Sequence, residues 1–356
     1  MVVIHHSFTA NIMRYTAQHG IGFLGAAFSY IAAYGVDLFF VLSGVVLLRP
    51  YLRRQRRFDA GKYFIRRVKR IYPPYFFALV FAAIVIWFIN AYPTWYNHKG
   101  MSMQFTWMET LKEAAIFNFD GAYYNLAWWS LQIEMLFYVL VPVIILIYPH
   151  RQRISNARLV GTIAAGTVLT IALQLFVNKY YPYIYSQSYL QLNLGFALEY
   201  PVCFLMGVLL AAYDFSIRYA WCFLAGGIAL LIAEPYYHPL IHSAYGLIFA
   251  AVIILAFHVR TFKHLLSTPF MIWLGERSYS LFLVHFSVFY FVDNMVARVT
   301  PERNAMYALL TRGLGIPLGL FAAMLLFHFV ERRQAHGLVT GHLFWPWQVR
   351  GMKIEE

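Results

Sequence analysis

Charge is scarce in this chain. Asp, Glu, Lys and Arg make up 12% of its 356 residues, about half the share of a soluble domain. That scarcity excludes an ordinary water-soluble fold. Acid is scarcer than base, 15 residues against 28, for a formal net charge of +13. There are two cysteines, Cys203 and Cys222, which excludes a disulfide framework, and no zinc-ligand spacing is present. No cleavable signal peptide is visible, because no basic region precedes the short apolar stretch at the start. Internal repeats and low-complexity tracts are absent too.

What fills the chain is apolar. Hydrophobic residues make up 61% and aromatics 19%, with Trp and Tyr crowded at the ends of apolar runs as in membrane-interface belts. A hydrocarbon core of about 30 Å needs about 20 helical residues. Apolar spans fall at 1–12, 29–48, 75–92, 127–148, 159–177, 198–213, 219–233, 240–257, 270–292 and 307–330. The runs are continuous rather than alternating, so barrel strands do not fit. The expectation is an all-α polytopic membrane protein, a bundle of about ten transmembrane helices in the lipid bilayer.

Loop charge orients it. Lys and Arg number 20 in the loops at 49–74, 149–158, 214–218, 259–269 and 331–356, against 6 in the opposite loops. The first set reads as cytoplasmic, with both termini on that side. The basic excess is thereby a matter of topology, and nucleic acid is not expected as a partner. The loop 93–126 reads as non-cytoplasmic and as holding a short interfacial helix.

Within the spans a few polar groups stand out. Asp37 sits in AAYGVDLFFVLSGVVLL, Glu134 in AWWSLQIEMLFYVLVPVIILIY and His285 in YSLFLVHFSVFYFV. A charge in hydrocarbon is costly, so such residues line protein interiors or wet paths. Counted at 1.5 Å per residue, Asp37, Glu134, His285 and His6 each lie about 10 Å below the non-cytoplasmic boundary, with Arg312 nearby. The bland readings are an Asp37–Arg312 pair, a Glu134 bonded to neighbouring backbone, and a His285 satisfied in the core. Of His5 and His6, only one can face the bundle. On the cytoplasmic side, Arg66, Arg67, Lys69 and Arg70 lead into IYPPYFF. Arg66 and Arg70 are one helical turn apart, and guanidinium forks suit a phosphate-bearing ligand. Anchoring on anionic lipid is the plainer reading of the basic stretch.

The strings YGVDLFFVLSG (34–44), FIRRVKRIYPPY (64–75), WWSLQIEMLFYVLVP (128–142) and LGERSYSLFLVH (274–285) resemble, in order and spacing, the integral-membrane acyltransferase 3 family. Glu331 before Arg332 and Arg333 resembles that family's terminal acidic residue. The resemblance implies a membrane domain over 1–333 and a short cytoplasmic tail over 334–356. It implies O-acyl transfer, often of acetyl, from cytoplasmic acyl-CoA as donor substrate to a hydroxyl of a carbohydrate or other envelope acceptor. It also implies the inner or plasma membrane of a bacterium and no permanently bound cofactor or metal. The family's catalytic His falls on His6, with His5 as second choice. The Arg that precedes it by about eleven residues has no counterpart, so the first helix reads as truncated. His6 is then the general base, and Asp37 or Glu134 orients it. Arg66, Arg67 and Arg70 hold the phosphates of CoA, while Ser130, Tyr279, His285 and Arg312 support the site or guide the acceptor. Direct transfer and a covalent acyl-His relay both remain open. A transporter or flippase using the same charges is the alternative, against which stands the lack of an inverted repeat. A sensor that binds acyl-CoA without turnover is a third reading.

Overall fold

The first helix of the ordered bundle begins where a carboxylate meets a helix start. Asp37 lies in the first turn of α1, Gly35–Leu52, where the helix dipole favours negative charge. The structure is a computed structural model and describes residues 34–52, 58–92, 103–116, 124–147, 200–233, 241–300 and 305–332, with a few isolated positions elsewhere. Every regular element among them is helical. After α1 come α2 (Ala60–Ala91), α3 (Trp107–Ala114), a 3-10 turn at Leu126–Trp128 and α4 (Trp129–Ile147). Then follow α5 (Pro201–Ala212), α6 (Ile217–Ala233), α7 (Ile241–His258) and the short α8 (Arg260–Leu266). The last are α9 (Pro269–Val299) and α10 (Ala305–Leu326), which runs into a π turn at Phe327–Glu331.

Six stretches are long and apolar enough to cross a membrane: α1, α2, Leu126–Leu146, α7, α9 and Leu309–Glu331. Helices α5 and α6 are apolar but shorter. The expected count of about ten therefore stands at six candidate spans among the described residues. The spans expected at 1–12 and 159–177, and the tail at 334–356, lie outside those residues. The outer faces of α2, α4 and α10 carry exposed Phe77, Ile84, Trp87, Val139, Leu146, Leu309 and Phe321. Such apolar faces suit hydrocarbon. The chain is a multi-pass membrane protein.

Two expected loops are helix instead. Helix α2 starts at Ala60, not at 75, because Asp59 caps it: its Oδ1 accepts from the Lys62 amide at 3.0 Å. That bond holds the exposed Asp59 carboxyl below the usual carboxylate range. The following Lys and Arg residues are good helix formers. Pro73 and Pro74 lie inside the helix and deprive the Lys69 and Arg70 carbonyls of their amide donors, which neighbouring segments can offset in a bundle. Helix α9 likewise runs on to Val299.

The loop after α2 holds a short helix, as expected, at α3. Asn90 binds both ends of an extended stretch, donating to Met103 O at 3.1 Å and accepting from Phe105 N at 2.7 Å. Helix α3 then descends beside α2. At its foot the Tyr75 hydroxyl donates to Glu113 O and the Tyr72 hydroxyl to Ala114 O, each at 2.6 Å. From Asn90 to Tyr75 helix α2 falls by about 22 Å. The Tyr124 hydroxyl donates to Thr106 O at 2.9 Å. Trp107, Met108 and Leu111 face outward, whereas Glu113 is buried.

Helices α1 and α5 cross in close contact. A Cβ on Gly44 would lie 2.9 Å from Gly207 Cα and from Val208 N. Small residues at such crossings let membrane helices approach. Gly207→Leu is expected to push them apart and cost about 1–3 kcal/mol. Thermal unfolding in detergent checks this, and an unchanged melting temperature would refute the close crossing.

Candidate active site within the bundle

The polar residues singled out from the sequence fall into separate groups. Asp37 is buried, 1% exposed. Its Oδ1 lies 2.7 Å from His242 Nδ1, and the Cys203 thiol donates to the same oxygen at 3.3 Å. These three come from the first turns of α1, α5 and α7, so three helix starts meet at one carboxylate. The Tyr200 ring centroid lies 4.4 Å from that of His242, and the Tyr34 ring 5.7 Å away. Trp129, at the start of α4, packs on Tyr200 at 5.3 Å.

Glu134 belongs to a second group. Phe40 of α1 touches Phe137 of α4 at 5.1 Å between ring centroids, which sets the two carboxylates at similar heights but does not join them. The Tyr138 hydroxyl, one turn along α4, donates to Glu134 Oε1 at 2.5 Å. The charges that act on Glu134 are those of Arg70 and Arg67. The Arg67 guanidinium lies over the Tyr63 ring at 5.4 Å and the Tyr138 ring at 5.6 Å. Arg70 also acts on Glu331, whose Oε2 accepts from the Ser280 hydroxyl at 2.7 Å. Arg277 acts on Glu331 as well, its guanidinium packed on Trp273 and Phe327 at 4.8 and 4.6 Å. So two arginines of α2 are set against one carboxylate from α4 and one from the end of α10. Arginine's planar fork suits such sites. The α2 residues turned to Glu134 are Arg67 and Arg70; Arg66 is half-buried beside them.

The remaining expected site residues are placed as follows. His285 is fully buried, with Nδ1 facing the carbonyls of Leu281 and Phe282 at 3.1 and 2.8 Å on its own helix. The Ser130 hydroxyl donates to Ala127 O at 3.0 Å. The Tyr279 hydroxyl donates to Ile71 O at 3.2 Å and ties α9 to α2. Arg312 does not meet Asp37. It bonds to the Thr311 hydroxyl and is acted on by Asp293 and Tyr307, themselves hydrogen-bonded. Asp293 is about 12 Å farther along α9 than His285, so Arg312 leaves the shared layer expected of it. The charge count missed this because α9 runs on past 292. His5 and His6 lie outside the described residues.

Sequence reasoning missed His242, Cys203, Tyr138 and Arg277 as members of these groups. His242 opens an apolar run, the same signal that marked His285. Tyr138 stands four residues from Glu134, a spacing that puts both on one helix face. Cys203 and Arg277 carry no such signal, since only the helix packing brings them in.

Residues 1–330 match the acyltransferase 3 family, described as an acyltransferase domain. The chain belongs to that family. No match was found among curated proteins or among solved structures. The match covers Asp37, His242, Glu134 and Arg312 and stops one residue short of Glu331, and membership makes the protein a membrane acyltransferase. In this acyltransferase the family strings have distinct physical duties. YGVDLFFVLSG supplies Asp37 and the Gly44 crossing, FIRRVKRIYPPY the arginines of α2, and WWSLQIEMLFYVLVP the Glu134–Tyr138 pair.

Proposed function

We propose that this acyltransferase moves an acyl group, acetyl foremost, from cytoplasmic acyl-CoA to a hydroxyl of a carbohydrate or other envelope acceptor. The observation that carries the reading is the placement on α2 of half-buried Arg67, its guanidinium over the Tyr63 and Tyr138 rings, and of exposed Arg70 one turn farther along. A phosphate can take over guanidinium donors from a carboxylate, since both are bidentate acceptors. Heights along the helices support the same reading. Tyr51 meets Phe58, and Phe58 meets Tyr63, which joins the end of α1 to the start of α2. From there α1 climbs about 21 Å to Asp37 and α2 about 10 Å to Arg70. By that count the Arg70 backbone lies roughly 10 Å below that of Asp37 along the helix axes. The bacterial inner or plasma membrane, with both termini cytoplasmic, is the setting that loop charge favours.

The test is direct. The full chain in lipid nanodiscs is mixed with acetyl-CoA and a glycan fraction from the cell envelope. Release of free CoA together with acetyl on the glycan is expected. Counterflow of unmodified glycan without CoA release would assign transport instead. Arg70→Ala is expected to raise KM for acetyl-CoA about 10–100-fold, the worth of a charge-assisted hydrogen bond or two. An unchanged KM would remove the arginines from donor binding.

A further inference from the structure

The Asp37–His242 pair has the form of a proton-handling dyad. This follows from who is buried and who is not. The Asp37 side chain is 1% exposed and that of His242 10%. The acid therefore lies behind and the imidazole in front. Asp37 Oδ1 faces Nδ1 at 2.7 Å, which places the ring proton on Nδ1 and the lone pair on Nε2, the tautomer a base requires. Three side-chain groups fix the arrangement: Cys203 donates to the same carboxylate oxygen, while Tyr200 and Tyr34 pack on the imidazole. Titratable groups facing His242 are thus Asp37 and Tyr34 near the start of α1, and Cys203 and Tyr200 at the start of α5. Tyr245, on the same helix as His242, stacks on Tyr34 at 4.0 Å.

His242 competes with two other imidazoles. His285 has the carbonyls of its own helix at Nδ1 and is fully buried. His6 is the base implied by family resemblance. Of the described histidines, His242 is the one held by an acid.

Resting on the acyl-transfer reading above, we propose that His242, held by Asp37, is the general base for the acceptor hydroxyl. Nε2 takes the hydroxyl proton as the oxygen attacks the thioester carbonyl. The C–S bond breaks and the new C–O ester bond forms. The departing CoA thiolate takes the proton back from the imidazolium, so the products are the ester and CoA thiol. Asp37 stays a carboxylate throughout and steadies the imidazolium in between. The dyad lies at the end of the bundle where α1, α4, α5 and α7 begin, which loop charge assigns to the non-cytoplasmic side. An envelope acceptor arrives there.

His242→Asn separates this role from a merely structural one. The Asn amide can still donate to Asp37 and hold α7 to α1, but it offers no base. CoA release and glycan acetylation by the full-length variant in nanodiscs are expected to fall about 10²–10⁴-fold, with melting close to that of wild type. The acid limb of the wild-type kcat/KM profile should vanish from the residual activity. Asp37→Asn, which favours the wrong tautomer, should show a comparable loss and decides the matter if the first variant misfolds. Activity of His242→Asn within twofold of wild type, with the acid limb intact, would overturn the assignment and leave acyl transfer standing. A wild-type chain that releases no CoA would overturn the acyl-transfer reading, and this one with it.

Discussion

Glu134→Ala is expected to lower the stability of the purified acyltransferase by about 1–3 kcal/mol and to abolish acyl transfer. Glu134 is buried and accepts from the Tyr138 hydroxyl at 2.5 Å, and leaving a buried hydroxyl without its acceptor costs about 1–3 kcal/mol. Arg70 is exposed and Arg67 half-buried, so their screened attraction to the carboxylate adds little. Glu134→Gln divides the effect. It retains an acceptor for the Tyr138 hydroxyl and should recover much of the lost stability. It does not restore the negative charge. Thermal unfolding and CoA release, measured side by side, check both variants. Glu134→Ala melting with wild type would mean that the Tyr138 hydroxyl does not depend on this carboxylate.

Trp128→Ala is expected to cost about 3–5 kcal/mol, the range for deleting a large buried aromatic. Trp128 is 1% exposed. Its Nε1–H donates to Leu283 O at 3.2 Å, and Asn125 Nδ2 donates to the same carbonyl at 3.0 Å. The indole also meets the Tyr75 ring at 4.8 Å. One side chain therefore joins the start of α4 to α2 and α9, the helices that carry the arginines and His285. Trp128→Phe keeps most of the volume and loses one hydrogen bond, for about 1 kcal/mol. Denaturant or thermal unfolding of both variants would show the graded loss. Equal stabilities for Ala and wild type would deny the indole its place in the core.

The sequence was legible where burial of charge is costly. Asp37 and Glu134, picked out for being charged in apolar runs, are both buried and both hydrogen-bonded. It was less legible where partners come from distant segments. His242 lies 205 positions from Asp37, and no local pattern joins them. Helix limits were misjudged where charge and proline masked helical continuity. Arg66 to Arg70 and Pro73–Pro74 read as a loop entering a span, yet one capped helix runs through them. With the helix in place, Arg66 and Arg70 keep the one-turn spacing expected of them, and Arg67 lies over the Tyr63 and Tyr138 rings. Arg312 was assigned to the wrong layer because polar Asp293 and Asn294 hid the last turns of α9. The docking of α3 on α2 was invisible for the same reason as the Asp37–His242 pair: the Tyr72 and Tyr75 hydroxyls reach the Ala114 and Glu113 carbonyls from 42 and 38 positions away.

That docking bears on how the protein's sidedness can be mapped. A reporter enzyme joined after Ala114 would follow a short helix tied to two tyrosines of α2, not a further candidate span. Its signal is expected to match that of a fusion after Ala91. Fusions after Ala91 and after Ile147, which follow full crossings, are the ones expected to give opposite and clean readings.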